Sequence, residues 1–198
     1  MDLFASLPSL PPERRWRSQT APVPVAVALI RQATEAGEEL LLIRRANGPY
    51  TGQWALVGGK WDFGETLAEA IVREVWEETG LLTSFVALRA LVSERVAPWT
   101  AGDVGAHFLL LVCDLTVREG RAAEQQEGLV AWFRFDHIDA LHGEGLIIPS
   151  DYAMIREFGA ATFHSPYVEV EMRALLDGSA AQPHEMVRFL RHDKPGEG

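Results

Sequence analysis

GKWDFGETLAEAIVREVWEETGL, residues 59–81, is the stretch on which the reading of the whole chain turns. Glycines bound it, and the Ala, Leu, Glu, Ile and Val between them predict a helix over residues 66–79. At about 100° per residue, Ile71, Val75, Ala68, Val72 and Trp76 share one apolar arc, the face by which such a helix docks on a core. Glu74, Glu77 and Glu78 share another, three and four residues apart and therefore surface neighbours. Each like-charged pair costs a helix about 0.2–0.5 kcal/mol, so this is either a solvated acidic face or a face that a cation repays. Mg²⁺ suits the second reading, because it takes oxygen ligands and is held by one or two carboxylates together with substrate phosphates. Gly58-Gly59 lets the backbone turn tightly and bring a carbonyl to a ligand. Glu65 sits near the helix start, where its charge suits the dipole, and Arg73 can fix a glutamate by a bidentate contact.

Gly59, five residues, Glu65, seven residues, then Arg73-Glu74-Val75-Trp76-Glu77-Glu78-Thr79-Gly80-Leu81 resembles the Nudix box at every defining position. The flanks agree: Leu40 to Arg45 followed by Gly52-Gln53-Trp54-Ala55-Leu56 resembles the strand and loop that lead into the box, with Val57 where many members carry proline. The resemblance implies an α+β fold, a mixed sheet sandwiched between helices. It also implies hydrolysis of a nucleoside diphosphate linked to another moiety. Glu74 and Glu78 would then be the principal ligands of a catalytic Mg²⁺ or Mn²⁺, and Glu77 a further ligand or the water-positioning base. Gly59 would offer its carbonyl, with Glu65 and Arg73 in support. A glutamate from the loop over residues 118–128 often joins such sites, which leaves Glu124 and Glu127 both open.

Composition bounds the alternatives. At 198 residues and 47% hydrophobic content, the chain can bury one sizeable core. Its formal net charge of −10 argues against a nucleic-acid binder, which would carry a basic stripe. The single cysteine, Cys113, excludes an internal disulfide and fits a reducing compartment; lying in an apolar run, it reads as a buried structural thiol. No apolar run reaches the roughly 20 residues that span a bilayer, so a cytoplasmic protein without membrane contact is expected.

In chain order, residues 1–21 are expected to form an irregular arm with three prolines. Strands are expected at 22–31 and 40–45, joined as a hairpin, and Arg44, Arg45 and Tyr50 near the end of the second are candidates to meet phosphate or base. Further strands are expected at 84–96, 104–117 and 129–135. Trp99, beside Pro98 in the loop at 97–105, either stacks on a nucleobase or is a core or dimer residue. His107 has no second histidine at metal-ligand spacing and reads as a hydrogen-bonded core residue. Helices are expected at 136–142 and 149–158. The Nudix-like domain then covers 22–158, and 159–198 is an extension serving as a dimerisation element, giving a homodimer, or as a lid, with a strand at 167–172 and a helix at 184–191.

The layout around Ala106 to Leu110 and Trp132-Phe133 resembles ADP-ribose pyrophosphatases, so ADP-ribose or another nucleotide sugar is the first expected substrate. An oxidised nucleoside triphosphate, as in MutT-like members, comes second, and diadenosine polyphosphates third. A sensor that binds a nucleotide sugar without cutting it is the reading from another class; such proteins carry an eroded box and a basic appendage, and this chain has neither. Gly58-Gly59-Lys60 lacks the first glycine and the Ser/Thr of a phosphate loop.

Overall fold

The computed structural model describes residues 19, 21–47, 50–96, 105–125, 128–160, 164–174 and 184–191. Among the described residues eleven elements follow in order: β1 (Val23–Thr34), β2 (Gly37–Arg45), β3 (Trp54–Lys60), α1 (Leu67–Thr79), β4 (Leu82–Val96), β5 (Ala106–Glu119), β6 (Gly128–Arg134), α2 (Phe135–Gly143), α3 (Pro149–Phe158), β7 (Val168–Ala174) and β8 (His184–Arg191). The first six strands form one mixed sheet in the order β4-β5-β1-β3-β2-β6, with β1 parallel to β5.

The central strands read as nearly continuous apolar runs because both faces of the sheet are covered. Ala26, Ala28, Ile30, Leu41 and Ile43 pack with Leu67, Ile71 and Val75 of α1. Their sequence neighbours Val27, Leu29, Leu40 and Leu42 pack on the opposite side with Ile138 of α2 and Met154 and Ile155 of α3. Alternation along each strand thus builds two cores back to back, and the sheet is sandwiched as the sequence predicts.

β1, β2 and β3 pair two by two, and all three pairings are antiparallel. Three straight strands cannot satisfy that, so each changes partner part-way. β3 does so between Leu56, opposite Leu42 of β2, and Val57, opposite Ala28 of β1. The catalytic-looking glycines follow at once.

Two expectations are corrected. Trp76 is 56% exposed and takes no part in the buried face of α1. It lies about 140° round the helix from Ile71, and the sheet covers a narrower arc than that. Residues 184–191 form a strand, not a helix: β8 pairs antiparallel with β7, Val170 opposite Phe189. A short apolar run does not fix its own period, and strand pairing decides it here.

Candidate active site

α1 begins with a complete capping box. Thr66 Oγ1 accepts from the Glu69 amide at 3.2 Å, and Glu69 Oε2 accepts from the Thr66 amide at 2.8 Å. It ends at Gly80, whose φ of 71° is the left-handed turn that glycine adopts without strain. Both ends being fixed, the phase of every side chain between them is fixed as well.

Arg73 is the centre of the acidic cluster. Its Nε and Nη2 donate to Glu65 Oε1 and Oε2 at 2.6 and 2.9 Å, a bidentate pair. Nη1 donates to Glu74 Oε1 at 2.7 Å and, more weakly, to Glu77 Oε2 at 3.3 Å, while Nη2 also reaches the Lys60 carbonyl at 3.1 Å. The hydrogen bonds from Arg73 hold the Glu65 carboxyl below its ordinary range. Glu78 is 4% exposed and accepts the Gly58 amide at 2.8 Å. Gly59 faces the Glu74 carboxylate so closely that a Cβ there would lie 2.6 Å from Glu74 Cδ.

One edge of β3 threads these contacts together. The amides of Trp54, Leu56 and Gly58, every second residue, donate to the Leu146 carbonyl at 2.8 Å, Asp151 Oδ1 at 2.7 Å and Glu78 Oε2 at 2.8 Å. Asp151, in the first turn of α3, is buried, and desolvation pushes its carboxyl up to about 7 against the opposing hydrogen bond from Leu56. Glu94 and Arg45 lie close enough to bias it electrostatically, and the same three groups act on Tyr50. Burial first, then Glu94 and Asp151, raise the Tyr50 hydroxyl, and Tyr50 holds a backbone φ of 63°, rare for a side-chain-bearing residue.

The sequence model of the NUDIX domain matches residues 22–158, more than half of the chain. The protein belongs to the NUDIX family. An ADP-ribose pyrophosphatase of Methanocaldococcus jannaschii is 36% identical over 93 residues, 47% of this chain and 55% of that protein. An 8-oxo-dGDP phosphatase of Mus musculus is 41% identical over 85 residues, 43% of this chain and 24% of that one. The matched stretch therefore spans about half or less of these curated relatives. Among solved structures, a MutT protein from Methanosarcina mazei superposes with a TM-score of 0.54 at 27% identity, covering 71% of this chain and 96% of the other. A NUDIX hydrolase from Nitrosomonas europaea gives 0.57 at 23%, covering 71% and 90%, a likeness of fold.

The Nudix box residues named from sequence are thus gathered at one place: Gly59, Glu65, Arg73, Glu74 and Glu77 around the guanidinium, Glu78 beside them on Gly58. Among the described residues no three acidic, histidine or cysteine side chains form a ready metal site. Arg73 draws Glu74 and Glu77 to its own nitrogens. The donor chemistry nevertheless fits a hard dication: carboxylate oxygens, a glycine backbone with no Cβ in the way, and no nitrogen or sulfur ligand. Of the loop glutamates, Glu124 is exposed and follows Ala123, whose amide donates to the Thr79 carbonyl at 3.0 Å, at the C-terminal end of the box helix. Glu127 and Trp99 lie outside the described residues.

Of the two arginines, Arg45 joins the Tyr50 cluster, while Arg44, on the other face of β2, donates Nε to the Gly52 carbonyl at 2.9 Å. Glu94 and Asp151 were not singled out from sequence. Asp151 stood in view as the third residue of a Pro-Ser-Asp helix start, where it reads as a dipole-compensating acid; only the fold shows that it is buried on a strand amide. Cys113 is buried and its thiol pushed up by burial, as a structural cysteine should be. His107 Nε2 sits 2.9 Å from Ser93 Oγ.

Proposed function

We propose that the protein is a metal-dependent hydrolase of the pyrophosphate linkage in a nucleoside diphosphate derivative, with ADP-ribose or another nucleotide sugar as first choice. The observation that carries this reading is the Arg73 clamp, which sets Glu65, Glu74 and Glu77 around one guanidinium beside a Glu78 fixed on the Gly58 amide. Glu74, Glu78 and the Gly59 carbonyl would hold Mg²⁺ or Mn²⁺, which when bound polarises a phosphoryl oxygen and lowers the pKa of a water. Arg73 keeps the carboxylates in register while they exchange its nitrogens for other partners. Glu77, at 45% side-chain exposure the most accessible of the three box glutamates, takes the proton of the attacking water, or Glu124 or Glu127 does so from the loop. Such general-base assistance is typically worth about 10²–10⁴-fold. Two phosphomonoesters leave. Arg45 and Tyr50, with Glu94 and Asp151, supply the nucleoside end.

Nucleoside triphosphates are the second reading, favoured by a relative of comparable identity, a nucleoside triphosphatase of Salmonella, 32% identical over 93 residues.

The test is phosphate release, coupled to a phosphatase, from ADP-ribose, other nucleotide sugars, 8-oxo-dGTP, ordinary triphosphates and diadenosine polyphosphates, with Mg²⁺ and then Mn²⁺. Glu78→Gln should lower kcat by about 100-fold or more while leaving the melting temperature close to wild type. Near wild-type turnover in that variant sinks the proposal. No turnover at all, with a nucleotide sugar still raising the melting temperature, replaces it with the sensor reading.

A further inference from the structure

The β7–β8 hairpin lies outside the matched domain, yet it forms a wall of a groove of about 610 Å³ against the first turn of the box helix. That volume is within the range of small-molecule sites. Trp61, Glu65 and Glu69 line one side; Tyr167, Glu169 and Arg188 line the other.

The rings are fixed in place. Trp61 Nε1 donates to the Glu65 carbonyl at 2.9 Å. Tyr167 stands edge-on to Phe85 at 6.4 Å between ring centres, and its hydroxyl donates to Glu169 Oε1 at 2.9 Å. The capping hydrogen bonds from Thr66 both end on Glu69 Oε2, so neither uses Oε1. The Thr66 amide, with a smaller share from Arg188 across the groove, holds the Glu69 carboxyl below its ordinary range.

This lining selects by chemistry. Three carboxylates against one lining guanidinium repel an anion, and the helix terminus that would attract one is already capped. Four charged groups are equally unsuited to an apolar ligand, whose burial would strip them of water. A neutral ring that carries hydroxyls along its edge and C–H bonds on its faces satisfies both kinds of wall. Its faces lie on the aromatic rings, and its hydroxyls donate to the carboxylates and accept from Arg188.

Position along β3 says which ring. Leu56 meets Asp151, Gly58 meets Glu78, Gly59 meets Glu74, and the Lys60 carbonyl meets Arg73. Trp61, the next residue, opens the groove. Five residue steps cover at most about 17 Å of extended chain. They pass in sequence from the Tyr50–Asp151 cluster, through the carboxylates proposed to hold the metal, to the groove.

We propose that the groove between the box helix and the β7–β8 hairpin is the subsite for the sugar on the far phosphate of a nucleoside diphosphate sugar, so that the extension selects the substrate. This rests on the nucleotide-sugar reading above.

The experiment is steady-state kinetics of the full chain on ADP-ribose with Mg²⁺, for wild type, Arg188→Ala and Glu169→Gln, with competitive inhibition by AMP, which lacks the second sugar, as reference. The expected result is a KM raised five- to tenfold in both variants, kcat within twofold of wild type, and an AMP inhibition constant that does not follow KM. Unchanged KM in both variants, with wild type active on ADP-ribose, overturns the subsite and leaves the hydrolase reading standing. A KM and an AMP constant rising together overturn it as well, since the variants then disturb the whole site. Wild type inactive on every nucleotide sugar but active on triphosphates removes the substrate reading, and the subsite with it, before any variant is compared.

Discussion

Gly58 and Gly59 are adjacent and chemically identical, but the structure gives them different work. A Cβ on Gly58 would run into the Ala26 carbonyl of β1, and its φ of 146° is unfavourable for any side chain. The three atoms nearest a Cβ on Gly59 all belong to the Glu74 carboxylate, the far end of a flexible side chain rather than backbone. Gly58→Ala should therefore cost about 2–4 kcal/mol of stability in urea unfolding. Gly59→Ala should leave stability within about 1 kcal/mol and displace Glu74, lowering kcat by about 100-fold. Equal losses of stability would show that the glycines share one role. Asp151 gives a second residue-scale expectation. Its carboxyl is raised to about 7 in the fold, so as pH rises above about 3.9 the unfolded chain gives up this proton first. Stability should then fall, by up to about 1.4 kcal/mol per pH unit, until the folded group also ionises near pH 7, and level off above. Asp151→Asn keeps an acceptor for the Leu56 amide and should remove that decline. Coincident curves of unfolding free energy against pH for the two proteins would mean that Asp151 is ionised in the fold.

Among the elements, α1 was the most legible, because a sustained 3.6-residue period between glycine stops leaves little room for another reading. Its N-cap was also open to view in Thr66-Leu67-Ala68-Glu69, a capping box that fixes the start of the helix. A helical wheel puts Glu78 about 20° from Ile71 and Trp76 about 140° away, and the structure follows it: Glu78 lies inside the buried arc with Ile71 and Val75, whereas Trp76 lies outside it. The acid enters the core side because a strand amide waits for it there, and no property of residue 78 announces a partner twenty positions upstream. The same limit applies to β8. Its pairing with β7 is a tertiary fact, so the sequence of residues 184–191 taken alone reads equally as a helix. Arg45, Tyr50, Glu94 and Asp151 come from four separate segments and could be joined only by folding.

At the scale of the molecule, the extension is tied to the sheet by contacts gathered around one buried carboxylate. Asp114 of β5 accepts from Arg31 Nη2 and Arg89 Nη2, each at 2.6 Å, and His164 approaches it at 3.9 Å. Arg31 also donates to the Gly159 carbonyl at 3.1 Å, and the Ser165 amide to the Leu88 carbonyl at 2.8 Å. Removing one member of a buried ionic group strands the others. Asp114→Asn should therefore lower stability by about 3–5 kcal/mol and speed hydrogen exchange at the Ser165 amide. Loss of stability without faster exchange there would separate the triad from the docking of the extension.

The row of amides along β3 has a consequence for how the chain behaves in a test tube. β3 lies inside the sheet, so an amide that loses its acceptor there is left unpaired, at a cost of about 1–3 kcal/mol. Glu78 is the acceptor for Gly58, so a carboxylate proposed for metal binding also satisfies the strand. Truncating it to alanine would remove the carboxylate and orphan the amide in the same stroke. Glutamine, which keeps an oxygen for Gly58, separates lost catalysis from lost stability.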